Sequence, residues 1–420
     1  MPQGPAPRAV SLRSNFAWTL AGNLTYAGCQ WAMLMVIARL AQEAVVGQFA
    51  YGFAVTAPVF LLAGLQVRTV QITDAARRFP FADYLGVTLW GMSIALLVTL
   101  GIARFGIHER ETSLTVLAVG ACKAIEGITD VYYGGLHQSE RMRPIAVSLI
   151  WRGMLGVLAL GGVLWAGGGL LLAIAALGAA WLAVLLVHTL PAATSLLRSQ
   201  GEPTLPRFQW QRVRQIAAVA LPLGVVNMLV SLRGNIPRYF VGNRDAAELG
   251  VFAALSSLVV VGSLVIGALG QAATPRLARY YFEKRVASFR LLLALLLVVA
   301  GLVGGAGVLL SLTAGKPLLL LLFGREYAEH ADVLVWLMAT GGISYASSFL
   351  GFALTAARRF RVQVPLFAFT ALSCAAACHI LVPEHGLTGA AWAAGMAFLF
   401  ELVAMAIILW LALRGPSVRE

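Results

Sequence analysis

Charge is what this sequence has least of. Only 12% of its 420 residues are Asp, Glu, Lys or Arg, and 60% are hydrophobic, against about 25% charged and about 45–50% apolar in soluble domains. Together with a mean hydropathy of +0.82, this excludes a sizeable soluble domain and implies an integral membrane protein. Cysteine is also scarce. Cys29, Cys122, Cys374 and Cys378 all fall inside apolar runs, so they read as small buried hydrophobes and not as a disulfide framework. Cys374, Cys378 and His379 share helical spacing but are too few for a metal site. No GxxxxGK[ST] stretch occurs, so nucleotide hydrolysis by this chain is not expected. The outer connectors are short and lack clustered His, Asp and Glu, which argues against a membrane polymerase or ligase.

Apolar runs are what the sequence has in abundance. A membrane-spanning helix needs about 20 mostly apolar residues, and runs of that kind lie near 15–38, 47–67, 83–104, 113–136, 145–166, 170–190, 214–234, 249–273, 288–312, 330–355, 364–382 and 388–413. The segment TYAGC at 25–29 resembles a lipoprotein cleavage box, but Tyr26 stands where an aliphatic residue is wanted and Asn15 and Asn23 interrupt the apolar region. An uncleaved first helix is expected. The net charge of +13 does not point to nucleic acid, because the basic residues sit in short clusters between the runs. With connectors assigned to alternate sides, 21 of the 31 basic residues fall on one side, which predicts that both termini are cytoplasmic.

The longest connector on that side, 191–213, is polar and Pro-containing and divides the chain into bundles 1–190 and 214–420. The halves echo each other: AVVGQFA at 44–50 matches AELGVFA at 247–253, an offset of 203, and ERMR at 140–143 matches RRFR at 358–361. Six spans per half make this a parallel repeat. The expected fold is all-α and membrane-integral, with twelve transmembrane helices in two pseudo-symmetric six-helix bundles around a central cavity.

Few charges remain inside the spans, and most share a face. On a helix of about 3.6 residues per turn, Lys123, Glu126, Asp130, Tyr133, His137 and Gln138 fall in one stripe, opposite Ala124, Ile125, Ile128 and Leu136. An uncompensated charge at the bilayer centre costs about 2.5–3.5 kcal/mol on insertion scales, so this stripe must face protein or water. In one reading Lys123 pairs with Glu126 and Asp130 with an Arg on another helix, holding the bundle together. In the other the stripe lines a wet cavity that contacts a polar substrate or coupling ion.

Asn15, Thr19, Asn23, Tyr26 and Gln30 form a polar face on the first span, and Asn227, Ser231, Asn235 and Arg238 form one on the seventh, with Pro237 expected to break its far end. Arg152 and Arg233 lie within or at the edge of apolar runs. Intramembrane and edge cations outnumber the acids Glu126, Asp130 and Glu401, which favours an anionic cargo. Tyr26 and Tyr133 are candidates to stack on sugar rings.

Four stretches carry a family resemblance: KAIEGITDVYYGGLHQSERMRPIAVSLIWRG at 123–153, LPLGVVNMLVSLRGNIPRYFV at 221–241, ELGVFAALSSLVVVG at 248–262 and LLFGREYAEHADVL at 321–334. They resemble the polysaccharide-transporter branch of the multidrug/oligosaccharidyl-lipid/polysaccharide exporter superfamily, the Wzx-type flippases. The resemblance implies alternating access that carries a polyprenyl-diphosphate-linked oligosaccharide from the cytoplasmic to the outer leaflet of a bacterial inner membrane, without enzymatic chemistry. It also implies no cofactor beyond a proton or sodium gradient, membrane lipids and other polysaccharide-assembly proteins as partners, and no nucleic acid.

By that likeness Lys123, Arg152, Arg238, Asn23, Gln30, Asn227, Asn235, Tyr26 and Tyr133 belong to the substrate cavity, and Glu126 and Asp130 to coupling or ion pairing. His137 departs from the Gln expected in the helix-four motif. The competing reading is an ion-coupled drug or small-molecule antiporter of the same fold.

Overall fold

A computed structural model of the chain describes residues 12–74, 77–357 and 360–414. The termini, with Arg8 and Arg419, and the connector residues Arg358 and Arg359 lie outside the described residues. Every described element is helical: α1 (Leu12–Leu40), α2 (Glu43–Ala63), α3 (Val67–Thr73), α4 (Phe81–Phe105), α5 (Arg110–Gln138), α6 (Met142–Trp165), α7 (Leu170–Val184), α8 (Leu190–Ser199), α9 (Trp210–Gly242), α10 (Ala246–Phe282), α11 (Val286–Leu322), α12 (Arg325–Ala328), α13 (Ala331–Ala356) and α14 (Phe360–Arg414). A π-helical turn at Leu185–Thr189 joins α7 to α8. Among the described residues nine helices are long and apolar enough to cross a membrane. Helices α1 and α5 match them in length, at 29 residues each, but carry more polar side chains.

Three helix ends differ from the expectation. Helix α9 runs through Pro237 to Gly242. A proline there removes one backbone donor and frees the carbonyl four residues back, but membrane helices tolerate this where neighbours satisfy the freed group. The stretch 313–329, which separates the apolar runs 288–312 and 330–355, is mostly helical. Helix α11 kinks at Ala314 (φ −130°, ψ 17°) and resumes to Leu322, with Pro317 in the first turn after the kink, where a missing N–H is harmless. The last two expected spans both lie within α14, which breaks at Gly386 (φ 55°, ψ −130°), a backbone state open to glycine and costly for other residues.

Contacts divide the chain into two units, residues up to Leu40 with Val55–Met228, and Ala41–Ala54 with Leu229 onward. In the first, α1 packs on α6, α6 on α7, and α5 on α4 and α7. Its core joins Tyr84, Tyr132, Tyr133, Leu136, Leu185 and Leu197. In the second, α13 packs on α10, α11 and α14.

The start of α2 belongs to that second unit and crosses the start of α10 at two glycines. A Cβ on Gly47 would stand 1.8 Å from the Ala246 carbonyl oxygen, and one on Gly250 would stand 2.0 Å from that of Glu43. The offset of 203 that relates AVVGQFA to AELGVFA turns one contact into the other, Gly47 into Gly250 and Glu43 into Ala246, so the two glycine contacts are locally two-fold related.

Candidate functional site

The first unit encloses a cavity of about 570 Å³, within the range of about 300–1,000 Å³ typical of ligand sites. Its polar wall is Gln66, Arg68, Thr69, Lys123, Glu126, Asp130 and His137, and Phe60, Val67 and Met92 face them. Helix α5 supplies most of the charge, because Lys123, Glu126, Asp130 and His137 recur every three to seven residues on one face.

Two ion-paired groups stand on this wall. Glu126 Oε2 accepts from Lys123 Nζ at 2.7 Å, one turn away on the same helix. Its other oxygen, Oε1, lies 2.8 Å from Arg152 Nη2 and accepts from the Tyr26 hydroxyl at 3.3 Å. The Arg152 contact is an ion pair without aligned hydrogen-bond geometry. Gln30 donates to the Tyr26 oxygen at 2.7 Å.

Arg152 is 2% exposed, and its guanidinium is sandwiched between the Trp181 ring at 4.1 Å and the Tyr26 ring at 5.1 Å. Cation–π contact of this kind replaces part of the hydration that burial removes. Arg152, Tyr26 and Gln30 therefore hold Glu126 from behind and do not line the cavity. The second pair is Asp130 with Arg68 of α3, Nη1 to Oδ1 at 3.2 Å.

Arg68 reaches the cavity through a backbone break. Leu65 and Gln66 both adopt left-handed φ values, 51° and 52°, a conformation that costs about 1–2 kcal/mol per non-glycine residue. The break separates α2 from α3 and brings Arg68 to α5, over the Tyr133 ring at 5.4 Å. By its place in the sequence, just past the apolar run 47–67, Arg68 reads as a connector charge. The structure moves it into the site.

The remaining expected residues are dispersed. Tyr133 is 1% exposed and does not face the cavity; its hydroxyl shares a hydrogen bond with Ser148 at 2.7 Å, and Ser148 with Thr189 at 2.6 Å. Asn23 is exposed and lines neither of the two cavities described. Asn227 donates to the Leu223 carbonyl of its own helix.

In the second unit a smaller cavity, about 280 Å³, is lined by Arg233, Arg238, Ser256, Ser263, Thr340 and Ser344 among others. Asn235 donates to the Ser231 carbonyl at 2.8 Å, and its oxygen accepts from Arg238 at 3.0 Å. Arg233 pairs with the buried Glu401 and lies over the Phe398 ring at 4.5 Å. In the sequence Arg233 and Glu401 stand 168 residues apart, in different apolar runs. Their pairing, like the part played by Trp181, depends on which helices meet, and an apolar run does not report that. Among the described residues no cluster of three or more His, Cys, Asp or Glu could hold a metal ion.

Membrane-length helices enclosing a charged, ion-paired cavity define a multi-span membrane protein with a polar interior. Residues 12–281 match the family described as "Polysaccharide biosynthesis protein", and the chain belongs to that family. It is 24% identical over 380 residues to the capsular polysaccharide biosynthesis protein CapF of Staphylococcus aureus, a match covering 90% of this chain and 94% of that one.

Its fold is that of two kinds of solved transporter. The lipid II flippase MurJ in an inward closed conformation superposes with a TM-score of 0.73 at 10% identity, over 94% of this chain and 87% of that one. An inward-facing multidrug resistance MATE family transporter of the MOP superfamily superposes with a TM-score of 0.71 at 15% identity, over 92% of this chain and 94% of that one.

Proposed function

We propose that the protein is a flippase that carries a polyprenyl-diphosphate-linked oligosaccharide from the cytoplasmic to the outer leaflet of a bacterial cytoplasmic membrane, for surface polysaccharide assembly. The observation that carries this reading is the cluster of Lys123, Glu126 and Arg152 beside a cavity within membrane helices, in a chain of the polysaccharide biosynthesis family. A hydrated glycan cannot cross about 30 Å of hydrocarbon, whereas a polar interior gives it hydrogen-bond partners while the lipid tail stays in the bilayer.

The charge balance favours an anionic cargo. In the first unit Lys123, Arg152 and Arg68 face two carboxylates, Glu126 and Asp130. In the second, Glu401 pairs with Arg233, while among the described residues Arg238 has only the Asn235 amide. Each cluster carries one cation more than it has anions, which suits a diphosphate and disfavours a cationic drug.

In this reading the halves 1–190 and 214–420, joined through 191–213, alternate between two arrangements of similar energy. Lys123 and Arg238 bear on the cargo, Arg152 positions Glu126, and the acids Glu126 and Asp130 couple movement to a proton or sodium gradient. Deletion of the gene tests the assignment: a lipid-linked repeat unit should accumulate on the cytoplasmic leaflet and surface glycan should disappear. Normal surface glycan with altered drug resistance would instead assign the chain to drug antiport.

A further inference from the structure

A second feature of the first unit lies outside the cavity, at the entry of α9. The connector 200–209 has no helix of its own after Gly201, yet its backbone is fixed. Arg207 N–H donates to the Ala82 carbonyl at 3.0 Å, and Glu202 accepts from Phe81 N–H at 3.3 Å and lies 3.8 Å from Arg77. The fit is close: a Cβ on Gly86 would fall 1.9 Å from the Arg207 carbonyl oxygen. The connector is thus strapped across the first turns of α4, and both α4 and α9 are membrane-length helices. Because about 20 apolar residues suffice to span the hydrocarbon, we place the entry ends of these helices, and the strap between them, at the membrane–water interface.

Pinning the backbone inward displays the side chains outward. Leu205 is 77% exposed, Phe208 57% and Trp210 74%, and the exposed Arg207 and Arg214 stand among them. Arg212 is occupied, 4.0 Å from Asp83 and over the Phe79 ring, whereas Arg207 and Arg214 have no carboxylate within 4 Å among the described residues. Aromatic rings with one apolar body and one polar edge favour the headgroup level, and arginine forks match phosphate oxygens.

From this arrangement we infer that residues 205–214 form a binding surface for anionic phospholipid, with Leu205, Phe208 and Trp210 seated at the acyl boundary and Arg207 and Arg214 on the headgroup phosphates. Charge complementarity selects this occupant: two exposed arginines with no carboxylate within 4 Å among the described residues, beside three exposed apolar side chains, suit an anionic interface. The surface lies outside the cavity, and the inference rests on the membrane placement of α4 and α9, not on the cargo.

The test uses the full chain in lipid nanodiscs without cargo. Phe208→Cys is labelled with an environment-sensitive dye, and protein lacking that substitution gives the background from the four native cysteines, three of which are buried. Spin-labelled phosphatidylglycerol and spin-labelled phosphatidylcholine are then compared as quenchers at equal mole fraction. Quenching by the anionic lipid should be at least about twofold stronger, and the ratio should fall toward one in 0.5 M salt and in Arg207→Gln/Arg214→Gln. Equal quenching by both lipids with the arginines intact, or a fully water-exposed dye with no quenching, would overturn the inference. The comparison in the arginine-intact protein decides the question even if the double variant does not fold.

Discussion

Glu126 accepts two cations that do different work. Arg152 is buried between two rings, and removing one partner of a buried pair costs about 3–5 kcal/mol. Lys123 is about a fifth exposed in its side chain, so its loss leaves a carboxylate still held by Arg152 and partly wetted. Arg152→Gln should therefore lower thermal stability and membrane abundance. Lys123→Gln should leave both near normal and reduce glycan export by at least tenfold, read by immunoblot and surface-glycan staining.

The pair of Arg68 and Asp130 is more exposed, at 35% and 44% of its side chains, and such pairs contribute no more than about 1 kcal/mol. Asp130→Asn should keep abundance and lose export. The exchange Arg68→Asp with Asp130→Arg should rebuild the contact without restoring export, whereas full recovery would reduce Asp130 to a structural partner. The Lys123–Glu126 contact was legible in the sequence because it is helical spacing alone. Arg68 was not, because two consecutive left-handed residues, neither of them glycine, leave no mark in composition.

At the scale of elements, the crossing of α2 and α10 depends on two backbones in direct contact. Side chains larger than hydrogen at Gly47 or Gly250 must push the helices apart, and overpacking of this kind costs about 1–3 kcal/mol. Gly47→Ala and Gly250→Ala should each lower the melting temperature in detergent, while Gly301→Ala, where nothing lies within 4 Å of the added methyl, should not.

The two stretches were legible as a repeated V/L-G-x-F-A pattern, but that they cross each other was not, because small residues at fixed positions mark close packing without naming the partner. Helix ends were less so. Lys316 and Pro317 look like breakers, but a kink at Ala314 resets the count and puts Pro317 in a first turn where it fits. Pro237 sits inside α9 because a membrane helix has no water to compete for its other backbone bonds.

At the scale of the whole molecule, hydropathy and the sequence repeat announced an all-helical membrane protein. Which helix end packs in which unit was not announced: residues 41–54 join the later part of the chain, and local sequence carries no record of such long-range choices. The cargo hypothesis lives at this scale too, because it assigns a cation in each of the two units, Lys123 in one and Arg238 in the other. If both act on one anionic cargo, removing either already forfeits most of the electrostatic attraction, and removing both adds little. Lys123→Gln and Arg238→Gln should each slow export by at least tenfold, and the double variant should fall well short of the product of the two. Independent sites would instead multiply, as distant substitutions usually do. Export rate measured from pulse-labelled glycan, normalised to protein abundance, separates these outcomes, and a multiplicative result would divide the cargo's charge from at least one of the two cations.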